Sequence, residues 1–328
     1  MARVRRRRRR SGPRVWPLIS LPFAAVALYA VVCVAAFFVM SRPERHFNPQ
    51  NNPGRYGAAY REVRFTARGG DVRLAGWLLP ATGSDRALIL VHGKDGSRSD
   101  ELNGLFPELA AALERRGFNV LMLDLRGHGQ SDAGRFSFGP DEGRDVEGGA
   151  DWLKAQRFRP GSIGVLGISL GAAAGIYATA ADPDIGALVE DSSYAAVFPI
   201  IQRNWSDASH LPDFFLPGTL LAGRWIEHYD IRTISPADQI GRIAPRPVLI
   251  VHGKVDGLIP ARDAQDLQAA DPAAEVWIVP QAGHAGAYAA GRDAYVSRVA
   301  DFFSKWLGAA SEGPSAALRS TAPPFRRQ

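Results

Sequence analysis

Cysteine is almost absent from this chain, with Cys33 standing alone among 328 residues. No disulfide framework can form within it, and thiolate chemistry is excluded because Cys33 sits inside a long apolar run. Metal-ligand spacing is lacking too: there is no H-E-x-x-H and no paired-cysteine motif, so neither a metal nor a cofactor is expected. Acidic residues are missing from Met1–Arg14, which carries eight arginines. Taking those eight charges from the net +6 leaves −2 for everything else, so the remainder is close to neutral and no nucleic-acid partner is expected. From Val15 to Met40 charge of either sign is absent.

That uncharged stretch reads as a membrane span. Leu18–Met40 exceeds the roughly 20 apolar residues needed to cross a bilayer. A cleaved signal peptide is the rival reading, but its apolar core is only about 7–15 residues long. No clean A-x-A site precedes Ser41, and Val32 ahead of Cys33 makes a poor lipobox. The expectation is a basic tail over 1–14 and a retained transmembrane helix over 15–40. Only Arg42 and Arg45 follow closely, so the positive-inside rule leaves the N-terminus cytoplasmic and the domain beyond Ser41 extracytoplasmic, in a single-pass membrane protein.

Residues 41–61, including RPERHFNPQNNPGR at Arg42–Arg55, read as a linker. A domain over 62–308 then opens with alternating apolar and polar residues around Gly69-Gly70, predicting a β-hairpin over Glu62–Ala81. Short, wholly apolar runs follow at Ala87–Val91, Asn119–Leu123, Ser162–Leu166, Ala187–Glu190, Pro247–Val251 and Glu275–Val279. Such runs suit strands buried on both faces of a parallel sheet. Helical spacing at Leu102–Arg116, Asp141–Arg157, Leu170–Ala181, Arg262–Ala270 and Tyr288–Leu307 fills the gaps. The fold class is therefore α/β: a mostly parallel, doubly wound sheet led by an antiparallel hairpin. One connection is far longer than a single helix, and about 195–243 reads as a helical cap. Its aromatics Phe198, Trp205, Phe214, Phe215, Trp225 and Tyr229 suit either an apolar substrate pocket or simple helix packing. Residues 309–328, rich in Ser, Ala, Pro and Arg, are expected to lack fixed structure.

Gly167-Ile168-Ser169-Leu170-Gly171 is a G-x-S-x-G directly after a predicted strand and directly before a predicted helix, the context a nucleophilic serine at a sharp turn requires. Serine needs a base, and His284 follows the last predicted strand. An acid must lie between them: Asp256, after the PVLIV strand, is preferred, with Asp191 one strand earlier as the alternative. His92-Gly93-Lys94 follows the ALILV strand, so the main-chain N–H of Lys94, with that of Leu170, forms the expected oxyanion hole. His92 reads more readily as a hydrogen-bonded turn residue than as a second base. Lys94 acts by its main chain, although its side chain could meet an acidic group.

Four segments together resemble the α/β-hydrolase superfamily, in its esterase and serine-aminopeptidase-like branch: VHGKDGSR at Val91–Arg98, DLRGHGQSD at Asp124–Asp132, GISLGAAAG at Gly167–Gly175, and VHGKVDGLIP at Val251–Pro260 with AGH at Ala282–His284. The resemblance runs from about Val63 to Leu307. It implies the α/β-hydrolase fold with a cap, Ser169, Asp256 and His284 as triad, and a structural turn around His128. The cap matches no recognisable substrate class. The expected activity is carboxylester hydrolysis through an acyl-enzyme, acting on a small-molecule acyl substrate with an apolar acyl group. Amidase, aminopeptidase or acyltransferase activity would use the same apparatus. A non-catalytic, membrane-tethered binding protein is the reading of a different class, disfavoured because binding has no need of all three residues.

Overall fold

The computed structural model describes residues 16–228 and 230–308. The tails expected at 1–14 and 309–328, and Tyr229, lie outside them. In chain order the elements are α1 (Trp16–Met40), β1 (Arg61–Thr66), β2 (Arg73–Leu79), β3 (Ala87–Val91), α2 (Phe106–Arg115), β4 (Asn119–Leu123), α3 (Pro140–Ala155), β5 (Ile163–Ile168) and α4 (Leu170–Ala181). There follow β6 (Ile185–Asp191), α5 (Val197–Ser209), α6 (Leu216–Glu227), α7 (Ala237–Ile240), β7 (Val248–Gly253), α8 (Arg262–Ala270), β8 (Glu275–Val279), α9 (Ala287–Ala290) and α10 (Arg292–Trp306).

These elements divide into two compact units. The described residues of the smaller are 16–40 and 205–228, so the middle of the long insertion groups with the apolar N-terminal helix. Within it α1 contains Pro22–Met40, of mean hydropathy 2.6, long and apolar enough to cross a membrane. Its Tyr29 ring stacks on Phe214 and Phe215, and a Cβ on Gly218 of α6 would lie 2.4 Å from the Cys33 sulfur, so only glycine admits this approach. Buried Trp205 donates its indole N–H to the Pro212 carbonyl, while Trp225 is 75% exposed. The insertion's aromatics thus divide between packing inside this unit and exposure.

The larger unit, whose described residues are 41–204 and 230–308, carries the sheet. Its eight strands run in the order β1-β2-β4-β3-β5-β6-β7-β8, with β2 antiparallel to both its neighbours, β1 and β4, and every other pairing parallel. Successive side chains of a strand point to opposite faces, and both faces are buried. Ile89, Val91 and Val165 join α3, α4 and α8 residues such as Val146, Ala174 and Leu267 on one side. Leu88, Leu90 and Leu166 join Phe106, Leu109 and Phe303 of α2 and α10 on the other. This is why the strand sequences show no alternation. Because the chain crosses over to place β3 between β4 and β5, Val91 is in register with Gly167. The turn after β3 therefore emerges beside the turn after β5.

The stretch expected to be a linker is ordered on this body. The Asn48 N–H donates to Ser99 Oγ at 2.9 Å, the Asn51 amide donates to the carbonyls of Ser99 and Gly104, and the Glu44 N–H donates to Asp95 Oδ1 at 2.9 Å. Phe47 and Trp77, tilted against each other, both approach the buried Arg98 guanidinium, which lies 4.6 and 4.5 Å from their ring centres and pairs with the fully buried Asp124.

Candidate active site

Ser169 sits at φ 53°, ψ −114°, between β5 and α4. An L-residue pays for this backbone conformation only where its surroundings enforce it. They do so through two close approaches: a Cβ on Gly167 would lie 2.1 Å from the Gly171 carbonyl oxygen, and one on Gly171 would lie 2.4 Å from that of Val91. Both obstacles are backbone, which explains why glycine stands two residues either side of the serine. The Ser169 N–H donates to the Asp191 carbonyl at 2.8 Å, tying the turn to the end of β6. From Leu170 the twelve-residue α4 points the positive end of its dipole at the serine.

The expected partners converge on Ser169. His284 Nε2 lies 2.9 Å from its Oγ, and His284 Nδ1 lies 2.8 Å from Asp256 Oδ2. A carboxylate can only accept, so Nδ1 carries the hydrogen and Nε2 is free to accept from the serine hydroxyl. Asp256 Oδ1 accepts the N–H groups of Leu258 and Ile259 at 2.9 and 2.8 Å. Burial opposes its charge, but His284 and these amides outweigh burial and hold the carboxyl below its ordinary range. Gly93, beside Lys94, packs on the serine: a Cβ there would lie 3.3 Å from Ser169 Cβ. A hydroxyl within hydrogen-bond reach of an imidazole that a carboxylate holds in place is the arrangement that nucleophilic acyl transfer requires. Among the described residues no group of three or more His, Cys, Asp or Glu side chains could hold a metal.

The model of the alpha/beta hydrolase family matches residues 88–298, which span every strand from β3 onward and all the residues just described. The chain belongs to that family. Among relatives, the uncharacterized protein Rv2307c of Mycobacterium tuberculosis is 33% identical over 222 residues, covering 65% of this chain and 68% of its own length. The uncharacterized protein YfhR of Escherichia coli K12 is 27% identical over 253 residues, covering 73% and 79%. Among solved structures, the esterase Pf2001 of Pyrococcus furiosus superposes with a TM-score of 0.68 at 25% identity, over 81% of this chain and 98% of that one.

In this α/β-hydrolase the alternative acid, Asp191, has a different set of contacts. It accepts hydroxyls from Ser192 at 2.8 Å and Tyr295 at 2.9 Å, and Ser192 Oγ in turn accepts the N–H of Ala285, the neighbour of His284. Asp191 thus steadies the histidine's loop, and burial raises its pKa. His92 and His128 prove to be struts. Each donates Nδ1–H to a carbonyl, of Gly93 and Arg126, and each accepts an amide N–H at Nε2, from Leu125 and Asp95. Burial lowers their pKa values to about 4 and about 3, so both are neutral at pH 7 and unsuited to metal-free proton relay from these engaged nitrogens. The Gly93 carbonyl held by His92 belongs to the same peptide unit as the Lys94 N–H, so fixing one aims the other. Sequence reasoning missed Glu101, whose carboxylate accepts the Gly93 N–H at 2.6 Å and the Leu102 N–H at 3.1 Å. Burial raises its pKa. Its only signal was an acid a few residues past the His-Gly turn. The Lys94 ammonium pairs with Asp95 and lies 5.2 Å from the Phe136 ring centre.

Proposed function

We propose that the protein is a serine hydrolase that cleaves carboxylic esters. Ser169 Oγ attacks the acyl carbonyl while its proton passes to His284 Nε2; the alkoxide leaving group takes that proton, leaving an acyl-enzyme. Water, deprotonated by the same nitrogen, attacks the acyl carbon and releases the acid with Ser169 restored. Asp256 holds the imidazole tautomer and stabilises the imidazolium. The N–H groups of Lys94 and Leu170 receive the oxyanion. The observation that carries this reading is the unbroken chain from Asp256 through His284 to Ser169, with contacts of 2.8 and 2.9 Å. The esterase Pf2001 supports an ester rather than an amide as the bond cleaved. The substrate is a small molecule with an apolar acyl group, and no cofactor takes part.

The same reading makes α1 a retained single-pass anchor, with the arginine-rich start cytoplasmic and the catalytic body on the far side of the membrane. Its support is the uncharged span and the eight arginines that precede it.

The test is labelling of the detergent-solubilised full chain with a fluorophosphonate probe, followed by p-nitrophenyl ester turnover. Both are expected in the wild type and in neither Ser169→Ala nor His284→Ala. A folded wild type that neither labels nor turns over would overturn the reading in favour of a binding protein. Digestion of the body by protease added to intact cells tests the topology, and full protection would reverse it.

A further inference from the structure

Three arginines meet at the solvent face of the β1–β2 hairpin. In the antiparallel register Thr66 faces Arg73. Arg64 is two residues from Thr66 and points to the same exposed face, so Arg64 and Arg73 are diagonal neighbours across the two strands. Arg45, from the ordered segment after the apolar helix, joins them. The three line a cavity of about 540 Å³ with the loop Gly129–Ala133. Like charges facing one another across strands destabilise a sheet unless something neutralises them. Among the lining residues only Asp132 is acidic, and it pairs with Arg73 at 3.2 Å.

The remaining contacts orient the guanidinium groups without neutralising them. Arg64 donates to the Gln130 carbonyl at 3.2 Å and Arg45 to that of Ser131. Each guanidinium has five N–H donors, so most stay available. Three planar forks facing one shared space, with a net charge of +2, fit a tetrahedral dianion better than a carboxylate, because phosphate oxygens accept bidentate pairs from several arginines at once. The body that carries them is otherwise close to neutral.

We propose that this cavity is a binding site for phosphate-bearing anions, separate from Ser169 and independent of the hydrolytic reading. Such a group could come from a lipid headgroup or from free phosphate. Arg45 lies only five residues beyond Met40, a reach of at most about 17 Å of extended chain, which puts headgroups within range if α1 spans a bilayer.

The test uses the full chain in nanodiscs, with amide hydrogen exchange of Gly129–Ala133 as a local readout. Inorganic phosphate is titrated into discs of phosphatidylcholine alone, and separately the discs are made with phosphatidic acid in place of added phosphate. Slowed exchange in either arm, at least tenfold weaker in Arg64→Gln/Arg73→Gln, is the expected result. Protection by phosphatidic acid alone assigns the site to headgroups, and protection by phosphate alone assigns it to the free anion. No protection in either arm, or protection equal in the double variant, overturns the proposal. Wild-type amide exchange in β3 and β5 of the double variant shows that it is folded.

Discussion

Replacing Asp256 by asparagine separates the role of its charge from that of its shape. The carboxylate has one oxygen facing two backbone N–H groups and the other facing His284 Nδ1. An asparagine can keep its carbonyl on only one of these sides. Facing the amide group toward Leu258 and Ile259 would leave two buried N–H donors unpaired, at about 1–3 kcal/mol each. The carbonyl therefore stays with the backbone, and the NH2 group meets His284. That imidazole must then present a bare Nδ1, moving its hydrogen to Nε2, where it confronts the serine hydroxyl. Loss of the base and of the charge that steadies imidazolium is expected to lower kcat by about 10⁴-fold, or about 5 kcal/mol of barrier. The assay is p-nitrophenyl butyrate hydrolysis by the detergent-solubilised chain beside its thermal melting, which should shift little because the shape is conserved. The reasoning fails if Asp256→Asn stays within tenfold of wild type, and the acid is reassigned if Asp191→Asn suffers the large loss instead.

Glu101→Gln turns an NH2 group toward the Gly93 or the Leu102 N–H, disturbing the loop that aims Lys94; kcat should fall about 10- to 100-fold with KM nearly unchanged, and a steady-state comparison with equal effects on both constants would refute it. Arg98→Ala leaves the fully buried Asp124 without its cation and should cost about 3–5 kcal/mol in denaturant unfolding; a loss below about 1 kcal/mol would show that the pair is dispensable. The depressed pKa values of His92 and His128 mean that the unfolded chain takes up protons below about pH 6.5 that the folded chain refuses until about pH 4 and about pH 3. Their contribution is complete above about pH 7 and is lost as pH falls, by about 2–3 kcal/mol per histidine on reaching pH 4.5. Urea unfolding at the two pH values should show a correspondingly smaller loss in His128→Gln, and an unchanged difference would contradict the assignment.

The strands were the most legible part of the chain. Ala87–Val91 and Asn119–Leu123 have the limits their apolar runs suggest, because a strand covered on both faces leaves an uninterrupted signature. Helix ends were less legible. The helix expected from Leu102 begins at Phe106, since Leu102 and Asn103 take positive φ in the loop that carries Glu101. The helix expected over Tyr288–Leu307 is broken at Gly291. The order β4-β3-β5 was hidden, because pairing is a property of the sheet and not of any one strand. Ser169, His284 and Asp256 were visible because each follows a strand at the same edge of the sheet. Glu101, Ser192 and Tyr295 were not, because they act by hydrogen bonds to loops whose course the sequence does not reveal.

The docked segment between Met40 and β1 changes where the enzyme begins. Phe47 roofs Arg98, and Asn48 and Asn51 hold the loop leading to Glu101. A soluble version cut at residue 62, where the strand pattern starts, would strip that roof and uncover an ion pair that water is otherwise denied. One cut at Ser41 would keep it. A lengthening insertion is therefore tolerated at Ser41 and damaging anywhere from Glu44 to Tyr56.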